Sequence, residues 1–204
     1  MSWLRAQKFR ASNPGEISMF IQTELTPNPA TLKFLPGRAV IGSGTANFTD
    51  PTVAAARSPL AERLFAVGGV TGVFLGSDFV TVSKDEESDW YQLKPAILGV
   101  IMEHFTAGRP VLLDAEGVAE KGDESGEADT EIVSQIKELL ETRVRPAVAQ
   151  DGGDIIFHDF ADGIVYLHMQ GSCSGCPSST ATLKAGIENM LRHYIPEVQE
   201  VRAI

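Results

Sequence analysis

The sequence predicts an α+β protein of two small α/β domains joined by an acidic flexible linker, the C-terminal one running α-β-β-α-β. Three observations carry that reading. Between Asp114 and Asp129 seven acids and one base stand among Gly and Ala, with Val118 as the one larger aliphatic residue. Such a stretch cannot bury enough apolar surface to order itself. On either side of it, apolar residues recur at helical and strand periods, and Gly and Pro break those runs at short intervals.

The expected division is an unstructured tail at 1–18, a domain at 19–112, the linker at 113–129 and a second domain at 130–204. As a flexible coil the linker would hold its ends roughly 20–25 Å apart. Each side has its own amphipathic helices and strands, so each is expected to bury its own core and to be mechanically independent of the other.

In the first domain, Met19 to Thr26 and Thr31 to Leu35 look like short strands flanking Pro27-Asn28-Pro29, whose prolines force a turn. Ser58-Pro59 opens a short helix, with Pro at the tolerated first turn, and Gly68-Gly69 ends it. Val70 to Leu75 and Phe79 to Ser83 read as a hairpin around Gly76-Ser77-Asp78. A longer helix follows, with Leu93, Ile97, Ile101 and Phe105 at i, i+4 spacing and Gly108 and Pro110 beyond it.

The second domain opens with a helix whose apolar face is Ile132, Ile136, Leu139, Leu140 and Val144, its end disturbed by Pro146. Asp151-Gly-Gly-Asp154 is a tight turn, since paired glycines reach positive φ freely. Ile155 to Phe160 and Ile164 to Met169 are strands joined by the Asp162-Gly163 hairpin signal. A cysteine-bearing loop comes next, then a helix with Leu183, Ile187, Met190, Leu191 and Tyr194 on one side. Pro196 ends that helix, and Val198 to Ile204 makes a last strand.

Charge narrows the function classes. Of the formal net charge of −10, the acidic segment carries −6, which leaves the folded parts mildly acidic and without a basic footprint for nucleic acid. No apolar run approaches the ~18–20 residues of a membrane span. Met1 to Ser18 carries Arg5, Lys8 and Arg10 but no apolar core, so it does not read as a secretory signal. It shares its basic character with mitochondrial transit segments, against which Glu16 and its brevity argue.

Chemistry concentrates in Gly171-Ser-Cys-Ser-Gly-Cys-Pro-Ser-Ser179, which holds the only two cysteines, Cys173 and Cys176. Two thiolates are half of a four-sulfur zinc or iron–sulfur site. Either the pair works alone as a redox dithiol, or two chains each contribute two. Gly175 permits the tight curl that lets both sulfurs face one metal. Pro177 suits a first helical position, placing Cys176 at the N-cap, where free N–H groups and the helix dipole favour thiolate. A thioredoxin-like dithiol has similar geometry. Against it, only 28 residues follow Cys176, and no Trp neighbours the pair. A structural zinc protein dimerising through four cysteines is a third reading. Two surface thiols with no role are the blandest.

Other candidates read as ordinary structure. His168, five residues before Cys173, could complete a zinc site, but a histidine on a strand face is more often solvated. His104, His158 and His193 show no metal spacing. Asp151 and Asp154 lack the rest of a calcium loop. No serine–histidine or paired-carboxylate constellation can be assembled, so no enzyme is expected.

Two stretches carry a family resemblance. Arg145-Pro-Ala-Val-Ala-Gln-Asp-Gly-Gly-Asp-Ile155, with the cysteine loop, resembles the C-terminal domain of the NifU family. Ile21-Gln-Thr-Glu-Leu-Thr-Pro-Asn-Pro-Ala-Thr-Leu-Lys-Phe-Leu-Pro36, with Met102-Glu-His-Phe105, is similar to the N-terminal domain of Nfu-type iron–sulfur scaffold proteins. The resemblance covers about residues 19–112 and 130–204. It implies a scaffold or carrier that holds a [4Fe–4S] cluster between two chains through Cys173 and Cys176 and passes it to apo-proteins. Ligand count alone also allows [2Fe–2S]. The implied partners are upstream cluster-assembly proteins, apo iron–sulfur clients and a second copy of the chain, with no nucleic acid and no membrane. The setting is the bacterial cytoplasm, or the mitochondrial matrix in a eukaryote.

Overall fold

The computed structural model describes residues 20–113, 127–175 and 177–204, leaving aside the side chains of 127–130 and 177–179. The expected tail at 1–18 and most of the expected linker lie outside the described residues.

The N-terminal unit is a five-stranded antiparallel sheet with three helices on one face. Strands β1 (Gln22–Leu25) and β2 (Thr31–Leu35) flank the proline turn, where the Asn28 carboxamide oxygen accepts from Ala30 N at 3.0 Å. Strands β4 (Val70–Leu75) and β5 (Val80–Lys84) form the expected hairpin, and the sheet order is β1-β2-β5-β4-β3. Its last strand, β3 (Ala46–Phe48), and helix α1 (Pro51–Arg57) were not legible as elements in the sequence. Helix α1 starts at Asp50, whose carboxylate accepts from Thr52 N at 2.7 Å, with Pro51 at the first helical position. Ser58 ends α1 and caps α2 (Pro59–Phe65), its hydroxyl accepting from Ala61 N. Helix α3 (Trp90–Thr106) presents Leu93, Ile97, Ile101 and Phe105 to the core, as the spacing requires.

The C-terminal unit has a separate core around a three-stranded sheet of order β6-β7-β8. Helix α4 (Glu127–Leu139) begins ahead of the expected boundary at 130. Pro146 does not end the helix. A π-helical turn over Leu140–Val144 intervenes, and α5 (Arg145–Gln150) continues the path. Pro146 offers no N–H and crowds the carbonyl a turn earlier, and the widened turn relieves both.

Strands β6 (Gly153–Ala161) and β7 (Ile164–Gly171) pair antiparallel around Asp162 and Gly163, both at positive φ. Helix α6 (Pro177–Tyr194) carries the chain back, and β8 (Glu200–Ala203) pairs parallel with β7. The order α-β-β-α-β therefore holds, with its first helix broken in two.

The two cores are distinct, as expected, and the units also touch. The helix-free face of the N-terminal sheet packs on the 151–154 turn and the start of the cysteine loop. Thr81 Oγ1 donates to Gly152 O at 2.7 Å, and Lys33 Nζ to Gln150 O at 2.9 Å.

Candidate functional site

Cys173 lies in the loop between the end of β7 and the start of α6. The loop leaves β7 through Gly171 at φ +62° and turns again at Gly175, φ +82°, a backbone state that L side chains rarely adopt. Successive backbone bonds curl it: Cys173 N donates to Gln170 O and Ser174 N to Gly171 O. The Thr180 hydroxyl of α6 donates to the Cys173 carbonyl at 3.1 Å. Helix α6 starts at Pro177, as the position of that proline predicts, while Cys176 lies outside the described residues.

The 151–154 turn forms the floor under Cys173. A methyl group on Gly153 would stand 2.5 Å from Cys173 Sγ and 2.7 Å from the Gln170 carbonyl oxygen. Gly153 is thus required by close approach. Asp154, 3% exposed, accepts from Arg145 through both carboxylate oxygens, at 2.8 Å from Nε and 2.7 Å from Nη2. It also accepts from its neighbour Ile155 N and from Thr45 Oγ1 at 2.8 Å. This bidentate ion pair bolts α5 to the first residues of β6, and the Asp154 bond holds Arg145 firmly charged. Asp151-Gly-Gly-Asp154 is the tight turn its glycines predict, whereas the pairing of Asp154 with Arg145 is not legible from the turn motif. A basic residue nine positions ahead of a buried acid on the next element was the available signal.

The electrostatics of Cys173 differ from expectation. Cys173 is 6% exposed and belongs to the C-terminal core with Ile155 and Val165. Burial pushes its thiol up to about 11, and the Asp151 and Asp154 carboxylates add to the effect. In this arrangement Cys173 is a protonated thiol near neutral pH, not the thiolate that a helix start suggests. The physical reason is desolvation, which outweighs a favourable dipole. The neighbouring Ser172 hydroxyl, buried beside it, acts in the opposite direction by favouring the thiolate, and burial prevails.

His168 stands exposed on β7, its Nδ1 3.2 Å from the Ile204 carbonyl oxygen and its ring against His158. Among the described residues no three His, Cys, Asp or Glu side chains come together as a metal-holding group. No helix among them is long and apolar enough to cross a membrane.

Comparison with known proteins matches both units. A family model described as scaffold protein Nfu/NifU N terminal covers residues 21–108, and one described as NifU-like domain covers residues 136–202. The chain is 53% identical over 191 residues to the "NFU1 iron-sulfur cluster scaffold homolog, mitochondrial" of Drosophila willistoni, covering 93% of this chain and 65% of that one. To the human protein of the same name it is 53% identical over 187 residues, covering 91% and 72%. To "NifU-like protein 4, mitochondrial" of Arabidopsis thaliana it is 51% identical over 203 residues, covering 98% and 71%. The chain thus spans about two thirds of the length of the fly relative. With both family domains present in order and over half of the aligned residues identical to each of these relatives, this chain belongs to the Nfu/NifU iron–sulfur cluster scaffold family.

Proposed function

We propose that two copies of this chain hold one [4Fe–4S] cluster through Cys173 and Cys176 of each and pass it to apo-proteins. The observation that carries the reading is the loop itself. It holds the chain's only thiols, curls at two positive-φ glycines and opens a helix. Two thiols per chain supply four ligands only when two chains meet, and four thiolates complete such a cluster.

Loading asks two things of these residues. Each thiol gives up its proton to solvent as its sulfur binds iron, and Cys173 turns out of the core to do so. Release runs by ligand exchange: a client thiolate forms one iron–sulfur bond as one bond to Cys173 or Cys176 breaks, with no net oxidation. No catalytic acid or base is needed. The relatives are named mitochondrial, which supports a matrix setting, and clients are apo iron–sulfur proteins with thiol ligands.

The test is iron and sulfide quantification after anaerobic reconstitution of the full chain and of Cys173→Ser and Cys176→Ser. Expected is near-complete loss of both elements in each variant with the far-ultraviolet dichroism retained. Normal iron and sulfide in either variant would overturn the ligand assignment. Reversible two-electron reduction of the pair in iron-free protein, with no cluster formed, would favour the dithiol alternative.

A further inference from the structure

The N-terminal sheet has two buried faces but helices on only one. Leu32, Phe34, Val73, Leu75, Val80 and Val82 pack into the core with α1, α2 and α3. The alternating residues Lys33, Phe74 and Thr81 belong to the opposite face by strand geometry. They are nevertheless buried, Phe74 and Thr81 each to 1% exposure. What covers them is the 151–154 turn and the cysteine loop. A methyl group on Gly152 would stand 2.7 Å from Thr81 Oγ1, and one on Gly171 would stand 3.0 Å from the Phe74 ring.

Polarity across this contact is one-sided. Asn28 Nδ2 donates to Ser174 O at 2.8 Å, Lys33 Nζ to Gln150 O, Thr45 Oγ1 to the Asp154 carboxylate and Thr81 Oγ1 to Gly152 O. In these four bonds every donor is a side chain of the N-terminal unit, and every acceptor belongs to the C-terminal unit. Three of the acceptors are backbone carbonyls, so the sheet face reads the shape of the turn and loop. Asn28 grips Ser174, inside the Cys-Ser-Gly-Cys run itself, and Phe74 meets the glycine where the loop begins. Both contacts fall on the segment that has to move if Cys173 is to leave the core.

We propose that the helix-free face of the N-terminal sheet is a cap for the chain's own cysteine loop, and that capping and cluster binding exclude one another. The inference rests on the cluster-bridging reading above and adds its regulation. A cluster shared by two chains brings a second cysteine loop against the first, where Asn28 and Phe74 now sit. The loop therefore loads only after the N-terminal unit lets go. The 14 peptide links from Leu113 to Glu127 reach up to roughly 45–50 Å when extended, so the unit can leave while staying tethered. Release of the cap would thus expose the loop that carries the thiols.

The experiment uses full-length, metal-free protein carrying Cys176→Ser, so that Cys173 is the single thiol. Its alkylation by a small maleimide is timed alone, with Thr81→Arg and with Asn28→Ala. Expected is alkylation at least ten-fold faster with Thr81→Arg and several-fold faster with Asn28→Ala, at rates independent of protein concentration. X-ray scattering should show a longer maximum dimension for Thr81→Arg with its dichroism unchanged. Equal alkylation rates in folded variants would sink the cap and leave cluster binding untouched. Protection that grows with protein concentration would place the cap on a second copy and overturn the assignment to the chain's own loop. If Thr81→Arg misfolds, the milder Asn28→Ala decides. Since no cluster enters this measurement, failure of the cluster reading would leave its result standing.

Discussion

The Thr81 hydroxyl donates to the Gly152 carbonyl at 2.7 Å, joining the middle of one sheet to the turn that begins the other. Both groups are buried, and the same carbonyl accepts from Ser172 N in the cysteine loop. One oxygen therefore connects the N-terminal sheet, the Asp-Gly-Gly-Asp turn and the segment next to Cys173.

Gly152 sits at φ +82°, where an L side chain is strained, and a methyl group there would also meet Thr81. Gly152→Ala is expected to cost about 1–2 kcal/mol from backbone strain alone. Chemical denaturation of the metal-free chain measures this. Wild-type stability in the variant would contradict a left-handed backbone at this turn.

Asp154 is buried against the partly exposed Arg145. Asp154→Asn keeps the shape but removes the charge that two guanidinium N–H groups bond. The expected loss is about 1.5–3 kcal/mol, the scale for hydrogen bonds to charged groups. Because the pair fixes the floor beneath Cys173, cluster retention should fall as well. The readouts are the urea midpoint and the half-life of the reconstituted visible absorption. Unchanged values for both would contradict a positioning role for this pair.

His104 is fully buried on α3. Burial first, then the nearby charges of Arg63 and Arg109, lowers its pKa below the ordinary 6.5. As pH falls, the unfolded chain takes up a proton at this ring before the folded chain does, so each step down favours unfolding. The stability held by the neutral ring is complete above pH 6.5 and is lost as pH falls through the lowered folded value. Comparing urea midpoints between pH 7.5 and 5 should show a steeper decline for wild type than for His104→Leu. Parallel declines would contradict the assignment.

Much of this architecture was legible because it obeys one period at a time. The i, i+4 run from Leu93 to Phe105 and the Asp162-Gly163 hairpin both stand where their patterns put them. Strand β3 was not legible because three residues are too few for an alternation to show. Helix α1 was signalled by Asp50-Pro51, an N-cap before a first-turn proline that the reading passed over.

The contact between units was hidden for a different reason. Thr31 to Phe34 and Val73 to Leu75 are buried at every position, so they lack the alternation of a half-exposed strand. Continuous burial on a strand means cover on both faces. A single chain's sequence does not say what the second cover is. At the site, the thiol pair was plain from composition. The burial of Cys173 was not, because it depends on Gly153, whose missing side chain makes room for the sulfur.

The central claim, that two chains share one cluster, is tested most directly by native mass spectrometry of the full chain before and after anaerobic reconstitution. Expected is a metal-free monomer that becomes a dimer carrying four iron and four sulfide, about one cluster per two chains. A cluster-loaded monomer at full occupancy would contradict it.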